Sequence, residues 1–365
     1  MLHDLFHRAE AFYKRYEGRV SSFALLAGFI FDSLTLQRID LLFENIIILS
    51  YLIMSGGGIA LLNYYYEHPP QKSFFVRLQN FLPLFIQFAF GGLFSAFFIF
   101  YTRSATWSLS GLFILILFFL LVGNEFFREY YQRLTFQVSV YFVAIFSFAI
   151  FFAPVLLKTM GAAVFILSGV VSLLFISLFF RILFRVSSKQ YEENRASLRK
   201  AVFSIFVLVN ILYFSNLIPP IPLALKDTGV YYSIEKVGEG YRALGEEREW
   251  YESLPFIAVE TIHLEPGASL YVFSSIFAPT DLDTRVIHEW QYFDDAIEEW
   301  VSATKITFPI KGGRGEGYRG FSRKENLFPG KWRVDVKTER GQIIGRIRFN
   351  VATPSFKVEF EEKIL

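Results

Sequence analysis

Nine residues, Gly312 to Gly320, hold five glycines with arginines threaded between them. Gly315, Gly317 and Gly320 stand in the spacing G-x-G-x-x-G of a dinucleotide-binding turn. That chemistry needs a helix opening directly after the glycines, so that its first N–H groups receive the pyrophosphate. Here the chain runs on through Pro329 and Gly330 into a period-two stretch, and the Gly-Lys-Ser/Thr of a phosphate loop is missing. Nucleotide binding is set aside on those grounds. Two readings remain. The glycines accept positive φ in a hairpin connection. Alternatively, the stretch is an anion- or polymer-binding edge. Arg314, Arg319, Arg323 and Lys324 then supply charge, and Tyr318 and Phe321 supply flat surfaces.

Other constellations are weaker. His288-Glu289 opens like the zinc motif H-E-x-x-H, but Tyr292 holds the place of the second histidine, so a structural hydrogen bond is the reading for His288. No metal site is expected, and no cofactor. The stretch Tyr292 to Val301 reads as a short helix, and its carboxylates at Asp294, Asp295, Glu298 and Glu299 face solvent rather than calcium. Asp32 and Glu44, with Arg38 and Asp40 between them, lie near the ends of apolar segments, where ionisable side chains raise a functional hypothesis. Glu125 with Arg128, and Glu129 with Arg133, read as solvated ion pairs. Gly56-Gly57-Gly58 allows a close helix approach. The chain has no cysteine, which excludes disulfides and thiolate metal sites.

The elements that carry these residues fall into two blocks. The chain has 365 residues, 53% hydrophobic and only 19% charged, with 45 Phe, and the apolar runs crowd into the first 220. That is a membrane composition. Residues 1–19 have helical apolar spacing and predict an interfacial amphipathic helix. Residues 20–219 contain seven apolar segments, at about 20–37, 41–62, 81–101, 107–123, 135–155, 161–180 and 201–218, each long enough to cross the hydrocarbon core. Lys and Arg concentrate at the N-terminus and in the second, fourth and sixth loops. The sixth loop, 181–200, holds Arg181, Arg185, Lys189, Arg195, Arg199 and Lys200, whereas the other three loops hold only Arg38, Arg103 and Lys158. The positive-inside rule then predicts a cytoplasmic N-terminus and an extracytoplasmic C-terminal domain.

Pro219, Pro220 and Pro222 predict a stiff extended linker after the last segment. Beyond it, at 220–365, the pattern changes to period two in stretches such as Ala268 to Phe277, Thr284 to Phe293 and Lys331 to Glu339. Seven to nine short strands predict an antiparallel β-sandwich of immunoglobulin-like type. The first 219 residues carry 17 Lys+Arg against 11 Asp+Glu, and the remainder 19 against 23, so neither block has the basic excess of a nucleic-acid binder.

Three stretches carry a resemblance: Ser274 to Pro279, His288 to Asp295, and Gly317 to Val351. The order is His288-x-Trp290, then Tyr318-Arg319 with Ser322, then Pro329-Gly330-Lys331-Trp332-Arg333-Val334, and finally Gly341 before Phe349. In this it resembles a bacterial domain-of-unknown-function family, number 2914. That family has no established activity, so the resemblance implies fold and architecture only. The expectation is therefore an α-helical membrane bundle of about seven transmembrane helices plus a C-terminal all-β sandwich. It would sit in a bacterial inner membrane, with the sandwich in the periplasm binding an envelope protein, glycan or anionic lipid. The alternatives are an integral-membrane enzyme or carrier of a lipid-linked precursor, working through Asp32 and Glu44, and a structural subunit of a membrane complex.

Overall fold

The computed structural model describes residues 29–36, 41–104, 107–126, 130–238, 240–247, 259–279, 282–311 and 317–365. The expected interfacial helix 1–19, the pair Arg38 and Asp40, the residues Arg128 and Glu129, and Gly312 to Glu316 of the glycine loop lie outside them. The chain divides into two compact units, one helical and one comprising mainly Ile218–Leu365.

In the helical unit, residues 29–35 are helical and six longer helices follow. They are α1 (Leu42–Glu67), α2 (Ser73–Arg103), α3 (Trp107–Phe126), α4 (Leu134–Leu157), α5 (Ala162–Val186) and α6 (Ser188–Phe214). Five of these, all but α3, are long and apolar enough to cross a membrane. At 1.5 Å per residue they span roughly 36–46 Å. Within α3 the apolar stretch Ser110–Asn124 is shorter. Large apolar side chains point outward from the helices, among them Leu42, Phe43, Phe74, Phe88, Leu174 and Phe203. Apolar surface on this scale marks a membrane or partner contact.

The glycines of α1 set helix spacing. A Cβ on Gly56 would stand 2.5 Å from the Tyr141 hydroxyl of α4, and one on Gly58 would stand 2.8 Å from Ile86 of α2. Polar side chains pair between helices. The Asn63 amide of α1 donates to Gln137 of α4 at 2.8 Å. Gln87 of α2 and Asn124 of α3 each donate to the other's carbonyl, at 3.0 and 2.9 Å. Glu67, the last residue of α1, accepts from the Lys189 N–H in the first turn of α6 at 3.2 Å and lies 3.0 Å from the Ser187 hydroxyl. It therefore caps a helix that begins about 120 residues later in the chain.

Among the described residues the β unit has eleven strands in three sheets, ordered β1-β5-β8, β4-β10-β9-β6-β7 and β11-β3-β2. They are β1 (Ala224–Tyr231), β2 (Ser233–Val237), β3 (Gly240–Glu246), β4 (Glu260–His263), β5 (Leu270–Phe277), β6 (Asp283–Asp294), β7 (Glu299–Lys311), β8 (Tyr318–Lys324), β9 (Gly330–Thr338), β10 (Ile343–Ala352) and β11 (Phe360–Ile364). Pairing is antiparallel except for β4 with β10. The main core is built from alternate residues of the β1-β5-β8 sheet and of the five-stranded sheet. Val272 and Ile276 of β5 meet Trp290 of β6, Trp332, Val334 and Val336 of β9, and Phe349 of β10. The opposite side of β5 turns Phe273 into a smaller cluster with Tyr231, Ile234, Ala243 and Leu365.

Three local expectations are corrected. Asp294 to Glu299 is no helix: Asp294 ends β6, a turn covers 295–298 and Glu299 begins β7. Cross-strand pairing of Phe293 with Trp300 extends the hairpin to its tip, where the Asp294 carboxylate accepts from the Ala296 N–H at 2.9 Å. The loop 181–200 is helical on both sides of Ser187, so its basic residues ride on the ends of α5 and α6. The prolines after α6 form a buried turn rather than an extended linker. Ile218, Ile221 and Leu223 are buried there, and the Leu223 N–H bonds the Pro220 carbonyl at 3.0 Å.

Candidate functional site

His288 sits on β6 with its side chain turned into the core, fully buried. Its Nε2 lies 2.8 Å from the Ser274 hydroxyl of β5, and its Nδ1 lies 2.8 Å from the Ser322 hydroxyl of β8. The Trp290 indole N–H donates to the same Ser322 oxygen at 2.9 Å. Phe308 closes over the ring edge-on at 4.9 Å. This relay pins the five-stranded sheet to the β1-β5-β8 sheet through polar atoms that satisfy one another. Burial pushes the His288 pKa down to about 4, so the ring is neutral at physiological pH. A serine–histidine contact with no solvent access offers no nucleophile to a substrate. Among the described residues no group of three His, Cys, Asp or Glu could hold a metal ion.

Next, consider the residues singled out on β8. The strand alternates, so they divide between its faces. Tyr318 packs against the main core. Arg319, Phe321 and Arg323 share the other face. The Arg319 guanidinium donates to the Leu365 carbonyl at 3.3 Å. Phe321 lies between Tyr241 and Tyr271, at 5.7 and 5.9 Å. Arg323 pairs with Glu325 at 2.8 Å, bonds the Ser269 hydroxyl and lies over the Tyr271 ring at 5.8 Å. Lys324 ends the strand, partly buried, and Arg314 lies outside the described residues. The structure therefore puts Arg319, Phe321 and Arg323 on one face of β8, with Arg323 against the Tyr271 ring, and Tyr318 on the other face.

A second charged surface covers the outer face of the five-stranded sheet. Trp332, Val334 and Val336 of β9 enter the core, so Lys331, Arg333, Asp335 and Lys337 face outward. Register places Glu289 of β6 beside Asp335, with Lys305 of β7 on one side and Arg346 of β10 on the other. Arg346 forks onto Asp335 at 2.5 and 2.9 Å. Lys337 pairs with Glu289, which also accepts from Ser302 at 2.8 Å and lies 3.3 Å from Lys305. Burial alone raises the Glu289 pKa, but the Lys337, Ser302 and Lys305 contacts outweigh it and hold the group at about 2. In the next row Arg333 lies across the sheet. Its Nε donates to Gln291 at 2.6 Å, and its guanidinium stacks 4.2 Å above the Trp300 ring. Burial, and then the charges of Arg346 and Arg348, push the Arg333 pKa down. Lys331 stands 5.1 Å over the Phe293 ring. These two rows of the face thus carry Lys305, Lys331, Arg333, Lys337, Arg346 and Arg348 against Glu289 and Asp335. None of these was singled out from the sequence as a binding group, although Glu289, Lys331 and Arg333 stand in the motifs quoted there. The signal was the period-two alternation of Lys331 to Lys337, whose even members build the core and whose odd members carry the charge.

Residues 283–351 match the family model described as Protein of unknown function (DUF2914). The match runs from the first residue of β6 to the penultimate residue of β10, so it holds His288, Trp290, Ser322, Trp332 and the whole cationic face. No curated protein matches the chain. Among solved structures, Pseudomonas fluorescens alkylpurine DNA glycosylase AlkC bound to DNA containing an abasic site analog aligns at 10% identity. It covers 87% of this chain and 100% of that one, with a TM-score of 0.21, which carries no argument.

In the helical unit Asp32 lies on the helical residues 29–35, half-buried, and Glu44 lies in the first turn of α1. Glu44 is 4% exposed, and its Oε2 has no hydrogen-bond partner among the described residues.

Proposed function

We propose that the chain is a bacterial inner-membrane protein of about seven crossings with its N-terminus in the cytoplasm. It would display an immunoglobulin-like β-sandwich in the periplasm as a recognition module for an envelope component. One observation carries the reading. The polar side chains that resemble catalytic groups are closed into a fully buried relay at His288, while the cations stand on open strand faces. An arrangement of that kind binds and does not transform. The outward apolar side chains of the helices and the basic ends of α5 and α6 support the membrane placement and orientation. Arg319 and Arg323, with Arg314, Tyr318 and Lys324 nearby in sequence, form one contact edge of the module.

Reporter fusions with compartment-dependent activity test the topology. Fusions after Lys189 and after Lys226 are expected to give opposite signals, and matching signals exclude the seven-crossing arrangement. A second reading rests on Glu44, whose buried, unpartnered carboxylate oxygen suits an enzyme or carrier acting on a lipid-linked precursor. Under that reading Asp32→Asn or Glu44→Gln abolishes function in a folded protein, whereas the binding-module reading expects both to retain it. The third reading, a structural subunit of a membrane complex, predicts stable co-purification with other chains in mild detergent.

A further inference from the structure

We propose that the outer face of the five-stranded sheet binds an acidic polysaccharide, with Arg333, Arg348 and Lys331 contacting its carboxylate or phosphate groups. The inference rests on the reading of the β unit as a recognition module and names both the surface and the ligand class. The row containing Glu289 and Asp335 is internally neutralised by Lys337 and Arg346. The neighbouring row is not. Arg333 spends its Nε on a neutral amide and stacks on Trp300, Lys331 contacts only an aromatic ring, and Arg348 is exposed and makes no ion pair among the described residues. Arg348 and Arg333 are direct cross-strand partners, and Lys331 follows two residues along β9. Arg348 and Arg333 are therefore one strand spacing apart, with Lys331 about 7 Å further along β9, and an anion relieves the repulsion among the three.

Arg333 is held flat on Trp300 before any ligand arrives, which lowers the ordering cost of binding. Phe293 and Trp300, with centroids 5.4 Å apart, form the floor on which Lys331 and Arg333 rest. The occupant is a chain of charged sugars rather than a bilayer. The aromatic rings lie half-buried beneath the cations and cannot insert as anchors.

The test uses the full chain in nanodiscs of phosphatidylcholine. Immobilised polygalacturonate and dextran sulfate are the probes, neutral dextran is the control, and vesicles with 30% phosphatidylglycerol form a separate arm. Binding to both acidic polymers, weakened by salt and absent for neutral dextran, is expected. Arg348→Gln removes a side chain with no partner to lose, so it leaves the fold intact. It should weaken binding about tenfold, as loss of one charged hydrogen bond implies. Arg333→Gln should weaken it further, with intrinsic tryptophan fluorescence reporting the fold. Binding that survives Arg348→Gln and Arg333→Gln but is lost in Arg323→Ser overturns this surface while leaving the module reading in place. Binding to the phosphatidylglycerol vesicles and to neither polymer overturns the ligand class. Binding to no probe overturns the inference.

Discussion

The two units solve the same problem, how to hide polar side chains, with different chemistry. The helical unit uses neutral amides in reciprocal or paired contacts, Asn63 with Gln137 and Gln87 with Asn124. The β unit uses full charges: Asp335 lies beneath Arg346 and Lys337, and Glu289 between two lysines. A charge taken from water into an apolar interior loses several kcal/mol of hydration, whereas a paired amide loses much less. Amides therefore suit helices whose outward side chains are apolar. Charges suit a sheet face whose rims remain wet.

The contrast is broken most directly in the β core. Trp332 is 1% exposed, donates to the Phe328 carbonyl at 2.9 Å and packs with Tyr292. Trp332→Ala is expected to cost about 3–5 kcal/mol, read from chemical unfolding. An unchanged midpoint removes that ring from the core. Because Ile218 and Leu223 belong to the β unit and are buried, residues 218–365 expressed alone should melt more cooperatively than a piece beginning at Ala224.

A smaller effect separates the buried histidine from the ionic face by pH. His288 binds its proton with a pKa of about 4 in the fold against 6.5 in the open chain, so the unfolded state takes up the proton first. Stability is constant above about pH 6.5 and falls as pH drops towards 4, by about 1.4 kcal/mol per unit. His288→Gln should flatten that stretch. Glu289 contributes in a lower window, holding full value above about 4.5 and losing it as pH falls towards 2. A stability profile flat from 6.5 to 4 in the parent protein contradicts the burial of His288.

In the helical unit a double-mutant cycle on Asn63→Leu and Gln137→Leu is expected to give a coupling of about 0.6 kcal/mol, and no more than about 1.7. A coupling of several kcal/mol would place the pair in the same energetic class as the charged ladder and erase the contrast. Smallest of all is the exposed Arg195–Glu192 pair at 3.5 Å. Glu192→Gln should shift stability by less than about 0.5 kcal/mol.

Period two exposed most strands of the β unit, since residues such as Trp332, Val334 and Val336 must share a face if one side is to be buried. It missed β3, β4, β8 and all of β1 but its last two residues. β4 has four residues, too few for a repeat to establish itself, and β8 is interrupted by Gly320, whose missing side chain makes room for Phe308. Asp294 to Glu299 read as helical because its charges recur at four-residue spacing. The pairing of Phe293 with Trp300 decides the matter, and a cross-strand contact is invisible to local periodicity. Apolar length located the five long helices but not their ends. Arg77 and Arg195 both lie within helices that the charge pattern had assigned to loops. At the candidate sites, glycines and arginines drew the eye to β8. The denser cationic face went unseen because its members come from β6, β7, β9 and β10, and only register assembles them.

The Glu67 contact carries a consequence for biogenesis. Ribosomes release α1 early and α6 last among the helices, so the opening amides of α6 emerge with no partner of their own and meet an acceptor already waiting at the end of α1. Joining them closes the helical unit across its full sequence, tying its last long helix to its first. A chain stopped before Ser187 leaves the Glu67 carboxylate exposed at a helix end, where its charge is unfavourable. Glu67→Gln is expected to insert normally yet leave residues 188–200 open to added protease; equal protection in the two forms counts against the idea. A single carboxylate would then distinguish a finished helical unit from an unfinished one.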